Sequence, residues 1–140
     1  MSETNPDFPK YLAVILALTE AQGAPASVRQ PAGLALKSHL DANFAAIPMQ
    51  AIYFIEDRLK AAFYDEHLEV RKTVSSVMSM IIVRGGFNAW PDLLRFLTDN
   101  LQPNSIAQIV PHLDQSFYAS IIENAILAIS IIVEDCTSLF

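Results

Sequence analysis

Two Val-Arg pairs, Val28-Arg29 and Val70-Arg71, stand 42 positions apart, and each opens a stretch with helical apolar spacing. Prolines mark the starts of the neighbouring segments at nearly the same step, at Pro6, Pro48 and Pro91. A period of about 40–47 residues built from paired helices specifies a stacked array of helical hairpins. The constraint is physical. A single hairpin carries an apolar face that it cannot bury alone, so other hairpins must lie against it.

The segments between these marks read as helices. Tyr11, Leu12, Ile15, Leu16 and Leu18 place an apolar stripe on a first helix, about Phe8 to Ala21. Gly23, Ala24 and Pro25 break it, and Ser27 is a candidate cap for the second, whose apolar side is Leu34, Leu36 and Leu40. A third helix starts at Pro48, with Ile52, Ile55, Leu59 and Phe63 on one face and Glu56, Asp57, Arg58 and Lys60 on the other. A fourth, about Leu68 to Arg84, buries Val70, Val74, Val77, Met78 and Ile81. Gly85-Gly86 stops it. No Gly-Lys-Ser/Thr follows, so these glycines read as a helix end rather than a phosphate loop. A fifth begins near Asn88 with Trp90, Leu93, Leu94 and Leu97 inward, and a long connection, 101–115, leads to a last helix of about Phe117 to Cys136. The reading is all-α: an α-solenoid, a HEAT-repeat superhelix of about three antiparallel pairs at 8–43, 48–84 and 88–136. The whole of 1–140 is one repeat segment, expected to be a fragment of a larger array.

Composition fits a segment with interfaces on its sides. Hydrophobic residues make up 52% of 140, and mean hydropathy is +0.31. Net charge is −6, which disfavours phosphate backbones and with them a nucleic-acid partner. Cys136 is the single cysteine, and His39, His67 and His112 show no ligand spacing. MSETNPDFPK lacks the pattern of a signal peptide, and the richest apolar stretch, Ala125 to Val133, is too short to span a bilayer. A soluble protein with no membrane partner, no cofactor, no metal and no catalytic residues is expected. Apolar faces left without neighbours at either side predict self-association.

Several motifs occur in one order: Asp7-Phe8-x-x-Tyr11-Leu12, Gly33-Leu34-x-Leu36-Lys37, Val70-Arg71-x-Thr73-Val74, Trp90-Pro91-Asp92-Leu93-Leu94 and Glu134-Asp135. In these the chain resembles the amino-terminal HEAT repeats of the importin-β (karyopherin-β) nuclear transport receptors, and within that family it is most similar to the transportins. The likeness covers about residues 6–100 and resumes near Ile122. The resemblance implies a receptor that shuttles between cytoplasm and nucleus. Inner helices of its first repeats would bind the GTPase Ran in its GTP form. Protein cargo bearing nuclear localisation signals would bind mostly beyond this chain, and nucleoporins are further implied partners. The inner helices here would be 28–43, 68–84 and 116–136.

Stepping by four from Arg71 reaches Ser75 and Ser79, off the apolar stripe; 42 residues earlier stand Arg29, Gly33 and Lys37. This gives a candidate partner-facing stripe of Lys37, Ser38, Gly33, Ser75 and Ser79, in which Lys37 matches the family motif best. Arg29 and Arg71 read instead as a structural ladder with Asp65 and Asp99 as acceptors. Trp90 reads as core, and Met78 and Met80 as packing. Asp7, Asp65 and Glu66 read as caps and dipole partners. The alternative to a transport receptor is a generic HEAT or armadillo interaction scaffold or adaptor. No Gly-x-Ser-x-Gly, His-Glu-x-x-His or Walker pattern supports an enzyme.

Overall fold

A computed structural model describes residues 7–102 and 115–135. Among the described residues six α-helices follow one another: α1 (Phe8–Ala17), α2 (Ala26–Asn43), α3 (Met49–Ala62), α4 (Leu68–Gly85), α5 (Leu93–Asp99) and α6 (Gln115–Asp135). Among the described residues no strand occurs, and the fold is an all-α repeat solenoid. Helices α1, α3 and α5 form one side of each hairpin, and α2, α4 and α6 the other. The first side continues from α1 to α3, and the second runs from α2 through α4 to α6. The hairpins therefore stand in series, and α4 has a neighbour on both flanks.

The core follows the apolar spacing. Ile52, Ile55, Leu59 and Phe63 of the second hairpin are fully buried, as are Val70, Val74, Val77, Met78 and Ile81. Trp90, Leu93 and Leu97 close the third, against Ile121, Ala125, Ala128 and Ile132 of α6. The core aromatics Phe63 and Phe96 meet edge to face at 5.3 Å between centroids, joining α3 to α5.

Element ends depart from the sequence expectation in four places. Helix α1 stops at Ala17, because Leu18 and Thr19 turn to extended backbone; Thr19 and Gln22 then cap a short 3-10 turn over Glu20–Gln22. Ser27 lies inside α2, whose cap is Pro25. Pro48 caps α3 rather than occupying its first turn. Asn88 sits in a 3-10 turn, Phe87–Ala89, and α5 begins only after Asp92. Gly86 ends α4 with φ +76°, a backbone region that glycine enters without strain.

Three side chains sit on the opposite face from that expected. Tyr11 is exposed, because α1 turns Ala13 and Leu16 inward. Leu34 is exposed, because α2 turns Leu36 and Leu40 inward instead. Glu56 is buried, while Lys60 reaches across to Asp92, Nζ to Oδ2 3.7 Å. The long connection falls mainly on 103–114, outside the described residues, as does Cys136. Helix α6 has 21 residues and is long and apolar enough, by length and composition, to cross a membrane; the shorter stretch read from sequence understated it. One side of it packs on α4, while Ile126, Leu127 and Val133 on the other are exposed.

Candidate partner-binding face and the seams between hairpins

The second layer has two seams, α2 on α4 and α4 on α6, and the polar residues singled out from the sequence divide between them. In the first seam, Arg29 opens α2 and is fully buried. Its Nε and Nη2 donate to the Leu16 carbonyl at 3.2 and 3.1 Å, satisfying an acceptor that the end of α1 leaves unpaired. The same Nη2 meets Asp65 Oδ1 in the turn before α4. Asp65 Oδ2 accepts from the His67 backbone N–H at 2.9 Å, so one carboxylate both receives the arginine and holds the entry to α4.

In the second seam, Arg71 Nη1 donates to the Asp65 backbone carbonyl at 2.8 Å, and its Nη2 donates to Ser120 Oγ of α6. Its guanidinium lies 4.8 Å from the centre of the Phe117 ring. Burial pulls its pKa below the ordinary arginine value, and Asp65 and then Glu69 act in the opposite sense. Asn124 Nδ2 reaches back to the Arg71 carbonyl at 2.8 Å. The two arginines thus take successive hairpins as partners. Asp99 is not among Arg71's acceptors; it is exposed on α5.

The expected partner-facing stripe is corrected by burial. Ser75 is fully buried and Ser79 nearly so; Ser79 Oγ donates to the Ser75 carbonyl at 2.9 Å and to the Ala128 carbonyl of α6 at 3.3 Å. Gly33 faces the other flank, where an added Cβ would lie 2.5 Å from Thr73 Cγ2 and 3.0 Å from Leu16 Cδ1. These three residues are small because helices approach closely there. The physical reason is the position of α4. With α2 on one flank, α6 on the other and α3 behind, only a narrow strip of it stays open. Lys37 is half-buried and Ser38 exposed on α2; on α4 the open strip is Glu69, Lys72 and Ser76. Lys72 and Ser76 were not singled out from the sequence, since a polar residue beside an apolar stripe looks the same whether it meets water or a helix.

Two further polar features escaped the sequence reading. Tyr64 Oη donates to Asn100 Oδ1 at 2.7 Å, tying the end of α3 to the end of α5; burial raises its pKa, with the Asn100 bond opposing. Glu20, Glu66 and His67 bring their ligand atoms within 4.8 Å of one another, the one such group that could hold a metal ion among the described residues. A cleft of about 590 Å³ runs between the ends of α1 and α3 and the Phe96 side of α5, lined by Ala17, Ala61, Ala62 and Tyr64 with Lys60 and Glu66.

No protein-family model matches the chain. It is 28% identical over 132 residues to a transportin of Dictyostelium discoideum, covering 94% of this chain and 12% of that protein. It is 30% identical over 101 residues to transportin-1 of Oryza sativa subsp. japonica (72% and 11%). It is 32% identical over 89 residues to transportin-1 of Homo sapiens (64% and 10%). The chain spans about a tenth of the length of the curated relatives it matches.

Proposed function

We propose that this chain, a transportin-like relative within the importin-β family, supplies the GTPase-binding part of a nuclear import receptor. It acts by binding, not by catalysis. Its partner is Ran in the GTP form, held on the open strip of the second layer. Protein cargo with nuclear localisation signals and nucleoporins engage the receptor mainly elsewhere, as it shuttles between cytoplasm and nucleus.

The observation that carries the reading is the continuous second layer, α2 to α4 to α6, in a chain with several transportin relatives. A solenoid presents one helix of each repeat along a shared surface, and repeated contacts along it suit a folded protein partner. Within that layer Lys37 is half-buried and Ser38 and Lys72 are exposed, which supports assigning them the contacts to acidic groups of the GTPase. Gly33, Ser75 and Ser79 contribute by setting the spacing of the helices.

Retention of this chain on immobilised Ran tests the proposal. The GTP-locked form should retain it and the GDP form should not. Equal retention by both would leave a generic HEAT or armadillo scaffold as the better account.

A further inference from the structure

We propose that Glu20, Glu66 and His67 form a binding site for a divalent transition-metal ion, which staples the turn of the first hairpin to the turn of the second. Glu20 belongs to the 3-10 turn between α1 and α2, whereas Glu66 and His67 lie immediately before α4. The three ligands therefore come from two successive hairpins.

The geometry supports coordination on two counts. His67 Nε2 stands 3.1 Å from Glu20 Oε1 and 3.8 Å from Glu66 Oε1. Zinc bonds nitrogen and carboxylate oxygen at about 2.0–2.2 Å, so ligand atoms in a tetrahedral site lie roughly 3.4 Å apart. The two observed separations bracket that value, and the widest, within 4.8 Å, closes by rotation of an exposed glutamate. In addition, His67 Nε2 is shielded from solvent and makes no hydrogen bond of acceptable geometry, although carboxylate oxygens surround it. A shielded imidazole nitrogen with two carboxylates and no completed hydrogen bond has the donor set that divalent zinc and its neighbours take. One neutral imidazole and two carboxylates also balance a charge of +2, and water completes the shell.

His67 is held for the task. The Asp65 side chain accepts its backbone N–H, and Asp65 is itself fixed by Arg29, so the imidazole starts from a rigid turn. A simple ion-pair trio, with a protonated imidazole between two glutamates, is the competing explanation, and metal titration separates the two.

The test is calorimetric titration of the tag-free chain with zinc chloride alone, with thermal unfolding followed in parallel. The expected result is one zinc per chain and a higher unfolding temperature, because the ligands join two hairpins. His67→Ala should weaken binding at least about tenfold, and so should the conservative Glu20→Gln, which alters an exposed side chain and preserves the fold. No saturable binding at millimolar zinc would overturn the proposal. So would equal affinity in Glu20→Gln and the parent chain.

Discussion

Arg29 and Asp65 meet across the seam between the first and second hairpins, both almost wholly buried, with the Leu16 carbonyl completing the arginine's partners. Breaking a buried pair by removing one member leaves an uncompensated charge, at a cost of about 3–5 kcal/mol. Asp65→Ala should therefore lower stability by that amount in urea unfolding. Arg29→Met should cost a similar amount: it keeps much of the volume but leaves the Asp65 carboxylate and the Leu16 carbonyl without their donor. If the two substitutions are combined, the second should cost far less than it does alone.

Gly33 is a spacing residue. Gly33→Ala forces a methyl against Thr73 Cγ2 and Leu16 Cδ1. The expected loss is about 1–3 kcal/mol, the range for overpacking. Thr73→Ser removes the colliding methyl and keeps the hydroxyl that donates to the Glu69 carbonyl at 2.9 Å. Adding it to Gly33→Ala should restore much of the loss, as read by chemical denaturation.

Glu56 makes stability depend on pH. Burial, then the charges of Asp92 and Asp57, lift its carboxyl to about 8, with Lys60 opposing. A carboxyl whose pKa is higher in the folded state favours folding while protonated. That contribution is full below its unfolded value near 4.5 and is lost as pH rises through about 8. Glu56→Gln should therefore be more stable than the parent at pH 8 and little different at pH 4.5. Thermal unfolding across that range measures the difference.

The burial of Ser79 separates packing from binding. Ser79→Leu should destabilise the α4–α6 seam by about 1–3 kcal/mol, the usual range for overpacking. Lys72→Glu, on the open strip, should leave unfolding within about 0.5 kcal/mol and still weaken retention on GTP-locked Ran. A binding loss at position 72 without a stability loss is the outcome to look for.

The hairpin order was legible because a solenoid writes its period into the chain. The Val-Arg pair repeats at 42, and the apolar spacing of α3 and α4 names residues that are indeed buried. Helix ends were less legible. The stop at Ala17 depends on Leu18 adopting extended backbone, and the late start of α5 depends on a 3-10 turn before Trp90, neither of which changes hydrophobic spacing. The polar stripe misled for a related reason. Ser75 and Ser79 are compatible with water or with a close helix, and only the position of α6 decides. Matching small residues, Ser79 opposite Ala128 and Gly33 opposite Thr73, were the signal that could have identified the seams. The Glu20 and His67 approach left no such signal, since it depends on how two turns are stacked.

The stacking of α4 between α2 and α6 underlies both the binding surface and the arginine ladder, and proton NMR of the labelled chain tests it directly. Nuclear Overhauser contacts should join the Thr73 methyl to Gly33 on one flank, and Ser79 to Ala128 on the other. Contacts from α6 to α2 in place of those to α4 would mean that the hairpins fold back on one another, and the account would be wrong.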